Sequence, residues 1–197
     1  MSNLTIPTGL IASRRALLGG TGQAVLSATA VALLIGCESM AAGSQSSAAT
    51  VEADVNILNT ALGLEYQAID AYNQGAGSKL LSDGSLRVAL AFQADHKKHA
   101  EALAAAIKKL GGKATGPKAH YDVGADKARS EGDVLKLALS LEKSASETYA
   151  SVVPVFANRD LAKVAAQLAA TEAMHYALLS NALAMGTGIG ASGFFPA

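Results

Sequence analysis

The chain has 197 residues, with 16 Lys or Arg and 16 Asp or Glu, and its formal net charge of zero argues against a nucleic-acid partner. Half of the residues are apolar but only 5% are aromatic, a composition that favours close-packed helices and excludes an all-β fold. Because Cys37 is the one cysteine, a single chain cannot form a disulfide framework or a zinc–thiolate or iron–sulfur site, so a metal would need oxygen and nitrogen ligands.

Residues 1–36 have the pattern of an export signal. They contain no acidic residue, and the pair Arg14 and Arg15 precedes an apolar run over residues 24–35. This order resembles a twin-arginine signal peptide, which implies export of the folded protein. The apolar run is shorter than the roughly 20 residues that a membrane-spanning helix needs, so we expect no permanent transmembrane anchor.

The end of this run leaves two processing routes open. Residues 34–37, Leu-Ile-Gly-Cys, resemble a lipoprotein cleavage box, which implies membrane attachment through a lipidated Cys37. Ordinary cleavage near Ala41 would instead discard that cysteine. The predicted location is the periplasm or, for a lipoprotein, the membrane surface. Residues 37–50, rich in Ser and Ala from Gly43 onwards, are predicted to form a flexible tether.

Residues 51–185 carry four helical patterns and are predicted to form one domain. Apolar residues recur at steps of three and four over residues 51–74, over 86–110, from Ser130 to near Pro154, and over 159–184. The predicted N-caps of the last three helices are Ser85, Ser130 and Asn158. Gly75 and Gly77 are predicted to end the first helix.

The connections between these helices are unequal in length. The first two helices, and likewise the last two, are joined by short segments, whereas residues 113–132 form a long crossover without helical periodicity. This connectivity predicts an all-α, ferritin-like four-helix bundle with one long crossover. Residues 186–197 are predicted to form a Gly-rich tail whose Phe194 and Phe195 pack on the bundle or meet a partner.

Six ligand-type side chains interrupt the inward-facing apolar stripes. They are Glu65 on the first helix, His96 and His99 on the second, Glu142 on the third, and Glu172 and His175 on the fourth. The Leu-Glu-x-x-Ala pattern at Glu65 recurs at Glu142, and His96-x-x-His99 aligns with Glu172-x-x-His175, so the chain has the pattern of a duplicated helical hairpin. Since residues three apart share a helical face, two packed hairpins would bring all six to one level of the core.

This pattern resembles the ferritin-like superfamily, in particular its exported bacterial ferritin-like domain proteins. In dinuclear members, two helices give one Glu each and two give Glu-x-x-His. The resemblance implies that Glu65 and Glu142 are single-carboxylate ligands, that Glu172 and His175 form one complete pair, and that His99 is the histidine of the other.

His96 departs from the family pattern, which expects Glu at this position. Asp95 cannot simply replace that Glu, because it points about 100° around the helix. Four carboxylates would offset the charge of two divalent ions, but this chain offers three. A site for one metal ion and a site for two are therefore both open. The resemblance implies iron or manganese, and oxygen and imidazole ligands also suit zinc.

Two functions stay open at this stage. The first is an exported metal-binding protein, with oxidoreductase chemistry at the ion implied by the resemblance. The second is a metal-free structural or stress-protective envelope protein, in which the three glutamates pair with three protonated histidines, since unpaired buried carboxylates would each cost several kcal/mol. An iron-storage cage is disfavoured by the near-neutral charge, and a homodimer is left open.

Four further residues lie near this pattern. Tyr72 and Tyr149 follow the two single glutamates by two helical turns; we predict that they are core residues, with a role as hydrogen-bond donors to the ligands as the alternative. Asp70 and Glu147 point elsewhere and are predicted to be solvated.

Overall fold

Four α-helices make up most of residues 48–184, the part of the chain that this computed structural model describes. They are α1 (Ala48–Gly77), α2 (Asp83–Lys109), α3 (Glu131–Val152) and α4 (Arg159–Ala182), with a short 3₁₀ helix at Ala125–Lys127. Residues 48–184 contain no strand.

The helices pack as two antiparallel hairpins, α1 with α2 and α3 with α4, and α1 also packs against α3. The segment between α2 and α3 is the long crossover. The predicted all-α four-helix bundle is therefore confirmed. None of the helices within residues 48–184 is both long and apolar enough to span a membrane.

The caps agree with the sequence at two helices and differ at one. The side chain of Ser130 accepts a hydrogen bond from the Asp133 amide, and that of Asn158 accepts one from the Asp160 amide, as predicted. At α2 the cap is Ser82, which accepts from the amide of Ser85, so the prediction of Ser85 as the cap is wrong. α2 therefore begins before Gly84 and includes it, although glycine has a weak helix propensity.

α1 is longer than predicted at both ends. It begins at Ala48, within the predicted tether, and it continues through Gly75 to Gly77. Gly75 is buried, and a Cβ atom there would lie 3.1 Å from Cγ1 of Val134 on α3. This glycine therefore permits the close approach of α1 and α3, and it does not end the helix.

The crossover is held along α1 by polar side chains. Asn59 accepts a hydrogen bond from the Thr115 amide at 2.9 Å, and Asp70 accepts one from the Tyr121 amide at 2.9 Å. Asp70, for which we predicted a solvated role, is half-buried and fixes the crossover. Glu147 pairs with Lys143 one turn earlier on α3.

Two apolar clusters fill the core. The large apolar cluster contains residues of all four helices, including Leu58, Leu62, Leu103, Ile107, Tyr149, Leu161 and Leu168. The small apolar cluster contains Tyr72, Ala89, Phe92, Leu139 and Leu179. On each helix, the residues of the two clusters are separated along the sequence by the predicted ligands. The fold thus places those ligands between two apolar regions.

The predictions for the signal peptide, Cys37, most of the tether and the tail with Phe194 and Phe195 concern residues outside the described part of the chain. They stay predictions.

Candidate metal centre

The structure brings the six predicted ligand residues together in one buried layer. Their relative exposures are at most 5%. We call this set the polar layer: Glu65, His96, His99, Glu142, Glu172 and His175. Because apolar clusters lie on both sides, these side chains must satisfy one another or bind something within the layer.

His96 connects the single glutamates of α1 and α3. Its Nδ1 atom lies 2.7 Å from Oε2 of Glu65, and its Nε2 atom lies 3.2 Å from Oε1 of Glu142. Both ring nitrogens are therefore engaged by carboxylates. The residue that departs from the family pattern occupies the centre of the layer.

Unlike His96, the residues Glu172 and His99 form no side-chain hydrogen bonds among the described residues. Oε1 of Glu172 lies 3.0 Å from Nδ1 of His99, and Oε2 lies 3.1 Å from Nδ1 of His175. These atoms are close, but their orientation does not form hydrogen bonds, and both oxygens of Glu172 and both ring nitrogens of His99 are unpartnered among the described residues. Buried atoms of this kind are costly unless an ion or ordered water engages them.

The layer contains two overlapping groups that could hold a metal ion. One is Glu65, His96, His99 and Glu172, and the other is His96, Glu142, Glu172 and His175. Within each group, one ligand atom per residue lies within 4.8 Å of all the others. Glu172 and His96 belong to both groups. The chemistry of the donors, carboxylate oxygens and imidazole nitrogens, fits iron, manganese or zinc.

Two tyrosines orient the single glutamates from opposite helices. Tyr72 on α1 donates its hydroxyl to Oε1 of Glu142, and Tyr149 on α3 donates to Oε1 of Glu65. The prediction that these residues serve only as core is wrong, and the alternative role as hydrogen-bond donors is correct. Burial and the adjacent carboxylates raise the pKa of each hydroxyl well above 10, so both remain donors at neutral pH.

Asp95 is a functional candidate that sequence reasoning missed. Its Oδ2 atom lies 3.7 Å from Nε2 of His175, the ring nitrogen that points away from Glu172 and Glu142. Contact with His175 holds the pKa of Asp95 well below its usual range, against the effect of partial burial, and Lys98 adds to the lowering. Asp95 does not replace a ligand at position 96; it supports a histidine on the opposite helix.

The electrostatics describe the layer without an ion. Burial alone raises the pKa of Glu65, but His96 and His99 lower it to about 2, and His96 and His175 likewise keep the pKa of Glu142 well below 4.5. Burial alone lowers the histidine pKa values, but the surrounding carboxylates overcome it and raise the pKa of His99 to about 9 and that of His175 to about 11. The pKa of His96 is also raised. Without metal, these directions favour the imidazolium form of all three histidines, next to the carboxylates of Glu65 and Glu142.

Comparisons with known proteins agree with this architecture. A model of the ferritin-like domain family matches residues 53–185. The solved structure of rv2844, a conserved hypothetical protein from Mycobacterium tuberculosis, is similar with a TM-score of 0.63 and 20% sequence identity. The match covers 68% of this chain and 93% of that one, and at this identity it supports the fold alone. No curated protein matches. Since the family model spans more than half of the chain and the four-helix core, the chain belongs to the ferritin-like domain family.

Proposed function

We propose that this protein is an exported metalloprotein that binds iron or manganese in the polar layer. The observation that carries the proposal is the set of four unpartnered buried atoms on Glu172 and His99. Glu65, His99 and Glu172 would hold a first ion, because both ring nitrogens of His99 and both oxygens of Glu172 make no hydrogen bond among the described residues. Glu142 and His175 would hold a second ion together with Glu172. A bound iron or manganese ion would supply redox chemistry at this position.

Charge favours one ion over two. With His96 as a cation between Glu65 and Glu142, three carboxylates and one divalent ion make the layer neutral, and a second divalent ion would leave it at +2. A fourth carboxylate in place of His96 would instead neutralise two ions. In addition, His96 is already engaged by Glu65 and Glu142 through both nitrogens. We therefore expect a first ion to bind much more tightly than a second.

The chain's own residues prepare the layer for an ion. Tyr72 and Tyr149 fix one oxygen of each single glutamate, and Asp95 orients His175. The two apolar clusters limit access of water, which strengthens the interaction of the carboxylates with a cation. Binding of the ion displaces protons from the histidines, since a nitrogen that carries a proton cannot ligate.

The test is metal content, measured by inductively coupled plasma mass spectrometry on protein matured in its own host. We expect close to one transition ion per chain, and the same measurement distinguishes iron and manganese from zinc. Glu172→Gln should lose the ion, whereas Glu101→Gln, an equal charge change at an exposed site of α2, should retain it. Wild-type protein without metal and with full stability would refute the proposal.

Export rests on the sequence of residues 1–36 alone. Its test is independent of the metal: cell fractionation and the mass of the mature N-terminal peptide. Replacing Arg14 and Arg15 by Lys should retain the protein in the cytoplasm, and a lipidated Cys37 should appear as an acyl mass increment on that peptide.

A metal-free structural role is the second candidate, and the observation that favours it is the complete pairing of His96. A network of three imidazolium and three carboxylate groups is self-compensating in charge. The two candidates separate in thermal melting, because a ligand that binds only the native state raises its stability by RT ln(1 + [L]/Kd). A melting temperature unchanged by chelator would favour the structural role.

A further inference from the structure

An apolar cleft of about 800 Å³ lies between α2 and α4, whose backbones stand apart in this bundle. It follows α2 from its N-cap Ser82 to Asp95 and α4 from Thr171 to Ala182, and residues of α1 and α3 complete its lining. At 1.5 Å per residue the cleft is roughly 20 Å long. Its volume is in the range of small-molecule sites, which lie between helices in many bundles.

The cleft exposes apolar side chains that a folded protein usually buries. Val88 and Met174 are each 43% exposed and Leu178 is 50% exposed, and all three line the cleft. They are three of the five large apolar side chains that are exposed in the described part of the chain. A contiguous apolar patch of this kind typically marks a binding site.

The inner end of the cleft reaches the polar layer. Tyr72, Asp95 and His175 are among its lining residues, and the ring of Phe92 stacks on that of His175 with centroids 3.9 Å apart. A molecule in the cleft would contact the outer side of His175. This places a few polar groups at the end of a long apolar surface, as in sites that bind chain-like molecules.

The outer part of the cleft carries one cation. Arg87 lines the cleft, is exposed and has no ion-pair partner among the described residues. Two acids lie at this end: Asp83, one turn before Arg87 on α2 and outside the lining, and Glu131, which accepts a hydrogen bond from the hydroxyl of Ser82 at 2.7 Å. Neither forms an ion pair with Arg87 in the described part of the chain. Arg87 and Asp95 are eight residues apart on α2, or about 12 Å along the helix. The outer lining thus has one cationic side chain, Arg87, and the α2 side chains that line the cleft between Arg87 and the level of His175 are apolar.

We propose that this cleft binds a long-chain carboxylate, with its carboxylate paired to Arg87 and its hydrocarbon chain directed toward Phe92 and His175. A guanidinium group pairs with a carboxylate through two parallel hydrogen bonds, and the chain buries the exposed apolar residues. The proposal goes beyond the metal site, and binding of the chain does not require an ion.

The experiment is displacement of a fluorescent fatty acid from the full chain, carried out in chelator so that the result is independent of the metal. Palmitate should displace the probe, hexadecanol should compete about tenfold more weakly, and hexanoate should not compete. Arg87→Gln should weaken palmitate about tenfold and leave hexadecanol unchanged, because only palmitate loses a charge-assisted pair with the guanidinium group. Arg159→Gln, which lies outside the cleft lining, is the matched control.

A second pair of variants tests the position of the chain. Ala91→Trp fills the cleft and should abolish binding of the probe, whereas Ala94→Trp, also exposed on α2 but outside the lining, should not. Absence of binding to wild type would overturn the proposal, as would equal effects of both tryptophans or equal affinities for palmitate and hexadecanol. Binding that appears only after removal of residues 186–197 would also overturn it, by showing that the chain's own tail fills the cleft.

Discussion

The large apolar cluster and the polar layer are built from the same four helices, yet they contribute to the molecule in opposite ways. The apolar cluster buries leucine and isoleucine side chains, which stabilises the fold in proportion to the area removed from water. The polar layer buries three carboxylates and three imidazoles, whose desolvation costs free energy that their mutual attraction only partly offsets. The fold therefore depends on the large apolar cluster, and the proposed chemistry depends on the polar layer.

The largest effect on stability is expected in the apolar cluster. Leu103 is 1% exposed, and Leu103→Ala should lower the free energy of unfolding by about 2–5 kcal/mol through lost burial and a residual cavity. Urea unfolding measures this loss. If the two regions act separately, metal content per folded chain stays at the wild-type value. A parallel loss of metal would show that the polar layer depends on packing in the apolar cluster.

A smaller effect on stability, with an effect on metal, is expected for Tyr72→Phe. The variant removes the hydrogen bond to Glu142 and leaves a buried carboxylate oxygen less satisfied, at a cost of about 1–3 kcal/mol. Metal affinity should fall about 10–100-fold, as for other residues that orient a ligand. Tyr66→Phe, a half-buried tyrosine of the same helix, is the control; if it weakens metal binding equally, the orienting role of Tyr72 is wrong.

Much of this could be predicted from the sequence, because helical periodicity depends on local spacing. The repeat of three and four residues is sufficient to place Glu65, Glu142 and their histidine counterparts on inward faces. Which tyrosine hydroxyl meets which carboxylate depends on how α1 and α3 pack, and Tyr72 reaches a glutamate 70 positions away. Spacing within one helix contains no information about that contact.

Asp95 and the cleft were missed for a similar reason. The angular position of Asp95 on α2 correctly separates it from His96, but its contact with His175 depends on the approach of α4. The exposed Val88 and Leu178 lie at helical positions compatible with a core stripe. Only the separation of the α2 and α4 backbones leaves them exposed.

The stability of the metal-free protein should depend on pH through the polar layer, because the large apolar cluster contains no group that titrates near neutral pH. The histidines have folded pKa values above 6.5, so their contribution is complete below pH 6.5 and is lost as the pH rises through about 9 for His99 and about 11 for His175. Glu65 has a lowered pKa, so its contribution is present above pH 4.5 and is lost as the pH falls toward about 2.

Unfolding in chelator should therefore show a stability plateau between about pH 4.5 and 6.5, with a decline on the alkaline side. Apparent metal affinity should change in the opposite direction and rise with pH, because deprotonation frees the histidine nitrogens. A stability curve of the metal-free protein that keeps rising above pH 9 would contradict the imidazolium–carboxylate pairing.

Substitution of His96 by Glu tests the departure from the family pattern. His96→Glu supplies a fourth carboxylate, and we expect the stoichiometry of bound Mn²⁺ in a titration to rise from one ion per chain to two. His120→Glu, in the exposed crossover, should leave it at one. An unchanged stoichiometry in His96→Glu would mean that charge does not set the number of ions.

The smallest effect is expected at a helix end remote from both regions. Ser130→Ala removes the N-cap of α3 and should cost about 1 kcal/mol of stability. Metal content should not change. Thermal melting and metal analysis on the same sample check both outcomes, and a loss of metal would show that the layer depends on the position of the α3 terminus.

Anomalous X-ray diffraction from crystals of the metal-loaded protein, at the absorption edge of the bound metal, would locate the ion directly. We predict an anomalous peak in the polar layer within coordination distance of Glu172 and His99. A peak outside the layer in a metal-containing protein, or no peak among the six side chains, would show that the polar layer is not the metal site.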